Sequence, residues 1–165
     1  WNCVIADRLK RKNVNCRTDF YREWRCLMWE KSVSDAVLHL LGVVRLEPTN
    51  VATVATYYNA EASDMLWEMS GLLRGWKALT LTYGFEERMF GEAEANGSDQ
   101  PCTLMNEMWP FIWGNPVFLE SPMFLEYLHY AQTEKGLLQG IQLPPMKDEG
   151  SSKMRQGNLR ADGVL

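Results

Sequence analysis

A chain of 165 residues with 46% apolar and 23% charged side chains has the balance of one globular domain with a sizeable core, which excludes disorder of the whole chain. The formal charge of −4 argues against a general nucleic-acid binder, and the longest nearly uncharged run, residues 110–119, is far shorter than the roughly 20 apolar residues of a membrane span. Cys3, Cys16, Cys26 and Cys102 show no CxxC spacing and have only two histidines to join them, so the expectation is free buried thiols, with no metal site and no dense disulfide framework.

The first 25 residues form a basic end with Arg8, Lys10, Arg11, Lys12, Arg17, Arg22 and Arg25. It reads first as a solvated helix face and second as a surface for an anionic membrane or a phosphate-bearing ligand. Ile5 and Leu9 predict a short helix over 5–12, and "NVNCR" at 13–17 alternates like a short strand with Val14 and Cys16 on one side. Thr18 or Asp19 can cap the first long helix, whose apolar positions Trp24, Leu27, Met28, Val37, Leu38 and Leu41 recur at three and four residues until Gly42. "LEPTN" is a turn, with Thr49 or Asn50 capping a short helical or extended piece at 51–58.

A second long helix is predicted over 63–84, because Met65, Leu66, Met69, Leu72, Leu73, Trp76, Leu79 and Tyr83 keep a helical period up to Gly84. "GEAEANGSDQP" at 91–101 is polar and rich in turn formers, hence a mobile loop. Thr103 opens "LMNEMW", which Pro110 ends or kinks. Ser121 with Pro122 starts a third long helix that runs to Gly140. Residues 146–165 have little to bury and read as an extended arm or disordered tail. No internal repeat is present, and the fold class is an all-α multi-helix bundle with a short N-terminal strand.

The densest chemical signal is "EWRCLMWEKSVSDAVLHLLGV" at 23–43, where Lys31, Asp35 and His39 fall at four-residue steps and so along one helix face, able to look into one cleft. Lys31 with Asp35 reads as a half-buried i,i+4 ion pair ahead of a working acid, and His39 and His129 read as satisfied histidines ahead of ligands.

Trp29, Lys31, Asp35 and His39 resemble the W-x-K motif of the C-terminal helical domain of ketopantoate reductases (2-dehydropantoate 2-reductases), in which asparagines stand four and eight residues after the lysine. "LKRKNVNCRTDFYREWRCLMWEK" is similar to the end of that family's nucleotide domain and its first C-terminal helix, and Glu126, Gly140, Ile141 and Pro144 match its closing helix. The likeness spans about 5–145. It implies that 1–17 is a remnant of a nucleotide-domain edge, that 18–145 is the helical domain, that Lys31 would protonate a carbonyl oxygen as hydride arrives, and that Glu126 would orient substrate. In the family a G-x-G-x-x-G loop binds NADPH, whereas Gly71, Gly75, Gly84 and Gly91 here lie within or after a helix, not after an apolar strand. Asp35 replaces an amide by an anion that would pair with Lys31 and repel an acidic substrate, and His39 replaces the second amide.

Two functional expectations follow. The preferred one is a non-catalytic structural or docking subunit of a larger assembly, derived from a ketopantoate reductase-like domain, without cofactor and with other protein subunits as partners. The alternative is the catalytic half of an NADPH-dependent reductase whose nucleotide domain lies elsewhere. Seven tryptophans exceed what one small core easily hides, and Trp109, Phe111, Trp113 and Phe118 in the proline-broken 106–118 segment are the interface candidates, or else a lid on the core. The chain begins at Trp1 without a secretory signal pattern, so the expected location is intracellular, with a mitochondrion or plastid as the compartment of a processed chain.

Overall fold

The computed structural model describes residues 2–14, 20–47, 49–104 and 115–146. They hold seven helices and no strand, so the chain is all-α: α1 (Asn2–Lys10), α2 (Tyr21–Val43), α3 (Val51–Tyr57), α4 (Asn59–Lys77), α5 (Phe85–Asn96), α6 (Pro116–Glu120) and α7 (Pro122–Thr133). The expected N-terminal strand is corrected where it can be followed. Asn13 has a φ of 59° and Val14 donates its amide to Leu9 O, which closes a turn after α1, while 15–17 lie outside the described residues.

Helix α2 is the axis of the fold, because Trp29, Val33, Ala36, Val37, Leu40 and Leu41 recur at three and four residues and are all buried. It packs against α3, α4 and α7, and α6 closes over α4 and α7. Trp29 stacks on Phe118 at 6.0 Å between ring centroids, and Phe118 meets Phe124 at 5.7 Å. Phe118 is 0% exposed, so as an interface candidate it is corrected: it is a core residue, stacked on Trp29 and tilted against Phe124. At the C-terminal end of α2, Gly42 permits close approach, since a Cβ there would lie 2.1 Å from Cys102 Sγ.

The short piece after the "LEPTN" turn is helical. Asn50 caps α3 by accepting from Thr53 N at 2.8 Å, and the same corner ties to the chain after α5 through Val51 N to Gln100 O at 3.0 Å and Cys102 N to Thr49 O at 2.9 Å. The loop expected at 91–101 is replaced for its first half by the last turns of α5. Phe85, Met89 and Ala93 stand at i, i+4 and i+8 and are buried against the core, and Glu86 and Glu87 suit the positive end of the helix.

The second long helix ends earlier than its periodicity suggests, at Lys77 and not near Gly84. Ala78 takes a left-handed φ of 47°, Leu79 folds back with its amide on Leu73 O, and Arg25 Nη2 donates to Lys77 O at 2.5 Å. The third also stops short, at Thr133, because Gly136 turns left-handed at φ 63° before Gly140 is reached. Its start is as expected: Ser121 Oγ accepts from Phe124 N at 3.2 Å, and Glu68 of α4 accepts from Met123 N at 3.0 Å and from the Ser121 hydroxyl. The segment after α7 returns along it, with Gln132 donating to Leu138 O and Ile141 O and His129 hydrogen-bonded to Pro144 O.

Candidate functional site

A cleft of about 520 Å³ opens between the middle of α2 and the face of α5, with Leu38, Val51, Phe85 and Met89 among its apolar lining. Lys31 and Asp35 lie on its α2 side, as their spacing predicts, and Lys31 Nζ donates to Asp35 Oδ1 at 2.7 Å. The pair is less buried than expected at one end: the Lys31 side chain is 71% exposed and that of Asp35 17%. The ammonium is thus committed to a neighbouring carboxylate and faces water at the cleft's rim, an arrangement that favours neither desolvation nor aim at a bound carbonyl.

The stronger electrostatic cluster of the cleft is one that the sequence did not single out. Glu30 is buried and accepts from Thr82 N at 2.8 Å and from Thr82 Oγ1 at 2.5 Å, and Arg88 Nη2 reaches it at 3.4 Å. Arg88 also donates to Tyr83 O at 2.9 Å, so one buried carboxylate and one guanidinium pin the 78–84 segment between α4 and α5. No local spacing reveals this site. Glu30 meets partners 52 and 58 residues further on.

His39 does not line the cleft with Lys31. Its Nδ1 accepts the Thr103 amide at 3.0 Å, which fixes the neutral form with hydrogen on Nε2, and burial lowers its pKa from 6.5, with Asp35 raising it and Lys31 lowering it. Beside it, Cys102 sits close to Leu38 O, and burial pushes its thiol up to about 12, a sign of a packed rather than reactive sulfur. Cys26 and Cys102 are both free thiols.

Glu126 is not among the cleft residues either. It lies half-buried on α7 beside Tyr127, whose phenol donates to Glu61 Oε2 at 2.6 Å and is pushed up by burial first and by Glu61 second. Glu61 also holds Arg45 Nη2 at 2.7 Å, and the Arg45 guanidinium lies 3.6 Å from the Tyr58 ring centre. This Arg45–Glu61–Tyr127 chain joins the turn after α2 to α4 and α7 and was also silent in the sequence. Lys31 and Asp35 thus meet on the wall of the cleft, whereas His39 and Glu126 are not among its lining residues. Among the described residues no group of His, Cys, Asp and Glu could hold a metal ion, and no helix is long and apolar enough to cross a membrane.

A second feature lies at the N-terminal end. Of residues 4–14 only Ala6 is buried, and α1 makes no substantial contact with another described helix. Val4, Ile5, Leu9 and Val14 are exposed, and so are Phe20 (82%), Tyr21 (75%), Trp24 (51%) and Leu27. Tyr21 stacks on Trp24 at 6.0 Å. Trp24 and Leu27, expected on the core stripe of α2, instead extend an outward stripe that starts at Phe20 and meets the cleft at Leu27. Trp109, Phe111 and Trp113 lie outside the described residues. Comparison with protein-family models, curated proteins and solved structures finds no match to this chain.

Proposed function

We propose that this chain is a non-catalytic helical docking subunit of a larger intracellular assembly, descended from a ketopantoate reductase-like C-terminal domain. The observation that carries the reading is the outward apolar stripe Phe20, Tyr21, Trp24 and Leu27 at the start of an otherwise well-buried helix. Large rings held in water at one end of a packed domain suit the centre of an interface. The absence of Glu126 from the lining of the cleft that Lys31 borders supports the non-catalytic part, since carbonyl reduction needs its proton donor and orienting group within reach of the same substrate atoms.

The test is migration of the native complex in gel filtration of a cell extract. Phe20→Ser with Trp24→Ser releases the chain from the assembly to the size of the free chain, whereas Lys31→Ala leaves it in place. The reverse pattern moves the function to the cleft.

A second reading keeps the cleft catalytic, as half of an NADPH-dependent reductase-like enzyme with its nucleotide domain elsewhere. One observation favours it: Lys31 stands at the rim of the 520 Å³ cleft, on the helix position that the family motif gives its acid. Calorimetric titration with NADPH decides, and a dissociation constant in the low micromolar range, on the order of −8 kcal/mol of binding, would sink the docking reading.

A further inference from the structure

Two surfaces of this chain lack a cover among the described residues, and they complement each other. We propose that helix α1 of one copy docks in the α2–α5 cleft of a second copy and that the second copy's α1 fills the first cleft in return, so that the chain is a two-fold dimer built by helix exchange. The contact is separate from the Phe20–Trp24 stripe and does not rest on its docking role.

The cleft has the form of a seat for a helix. Its lining residues recur at three and four along both walls, from Leu27 to Leu38 on α2 and from Phe85 to Asn96 on α5. Each wall is thus one helix face over three turns, about 16 Å at the ordinary rise per residue. Helix α5 rests on α3 and α4 and makes no substantial contact with α2, so the walls stand apart and a third helix laid between them meets side-chain rows of both. Helix α1, with nine residues and about 14 Å of length, fits that channel. Its Ile5, Arg8 and Leu9 stand at i, i+3 and i+4 on one face and are exposed, as are Lys10, Arg11 and Lys12 at its end.

The charges are opposite. Residues 2–14 hold four basic side chains and one acidic, a balance of +3, whereas α5 holds four acidic and one basic, a balance of −3. Glu92 stands exposed on the α5 wall with no ion pair among the described residues, so a cation brought to it displaces no existing partner. Helix α1 does not fill the cleft of its own copy, because none of residues 2–14 is among the lining. Two clefts face to face, or two α1 helices, would set like charge against like. Exchange joins apolar to apolar and cation to carboxylate, and its reciprocity closes the pair in the two-fold form usual for homo-oligomers.

The experiment is sedimentation equilibrium of the full chain over a rising concentration series. A mass that moves from the 19.0 kDa of one copy to twice that value is expected, with the dimer weakened by salt. Ile5→Ser with Leu9→Ser weakens the dimer by more than about tenfold, and so does Glu92→Lys with Asn96→Trp, which reverses a charge on one wall and fills the channel. All four positions are exposed, and circular dichroism confirms that each variant folds. Mixing the two double variants is the decisive arm: each mixed pair keeps one intact α1 opposite one intact cleft, so it associates more tightly than either variant does with itself. Phe20→Ser with Trp24→Ser leaves the dimer unchanged while it releases the chain from the native assembly, so the exchange and the docking reading fail independently. A single-copy mass at every concentration, a dimer indifferent to both double variants, or no gain on mixing overturns the proposal. If the chain stays single and Ile5→Ser with Leu9→Ser opens Met89 to hydroxyl radicals, the exchange is refuted and α1 covers its own cleft.

Discussion

Lys31 and Asp35 give the sharpest test of whether the cleft is built for chemistry. Two unit charges 2.7 Å apart attract by about 1.5 kcal/mol in bulk water, and the 71% exposure of the lysine places the pair near that limit, not near the interior one. Ordering the long lysine side chain offsets most of this, and the Lys-before-Asp order runs against the helix dipole, so a net coupling of about 0.3–0.5 kcal/mol is expected. A double-mutant cycle with Lys31→Ala, Asp35→Ala and the double variant, read from urea midpoints, measures it directly. The coupling should fall toward zero in about 1 M salt, where the Debye length is near 3 Å. A coupling above about 1.5 kcal/mol that survives this salt would contradict the reasoning, because it needs a desolvated pair of the kind a working acid uses.

Three further outcomes follow from other contacts. Glu30→Ala should cost about 2–3 kcal/mol and Glu30→Gln about half of that, since the amide oxygen still accepts the Thr82 N–H; equal losses in chemical denaturation would remove Glu30 from its role of pinning 78–84. Ala78→Gly should stabilise the chain by about 0.5–1 kcal/mol, visible as a raised Tm, because glycine adopts the left-handed φ of 47° without a Cβ clash. His39 should make stability depend on pH. With its folded pKa held below the unfolded 6.5, the unfolded chain binds the proton more readily, so this contribution is complete above pH 6.5 and is lost as pH falls toward the depressed folded value. His39→Asn, whose Oδ1 can accept the Thr103 amide without titrating, should flatten the decline in urea midpoint below pH 6.5, and an unchanged slope would refute the assignment.

What was legible in the sequence is what is local. The core stripe through Val37 and Leu41, the Asn50 and Ser121 caps and the Lys31–Asp35 pair all depend on residues within one or two helical turns, and each stands where its spacing places it. Helix α5 was hidden because its buried face ends in Ala93, a residue too small to mark an apolar stripe within a polar run. The outward turn of Trp24 and Leu27 was hidden for the opposite reason: an apolar period identifies a helix face without saying whether another element covers it. The Glu30 and Glu61 clusters join residues far apart in sequence, which only the tertiary fold brings together: Thr82 and Arg88 beside Glu30, and Arg45 and Tyr127 beside Glu61.

The measurement that bears most directly on the docking account is hydroxyl-radical footprinting of Phe20, Tyr21 and Trp24, compared between the isolated chain and the native assembly. The account predicts fast modification of all three in the isolated chain, consistent with their exposure, and at least about tenfold slower modification in the assembly, with Trp67 as an exposed reference. Equal rates in both states would contradict it, because an apolar surface that stays open to water in the assembled protein is not where that protein docks.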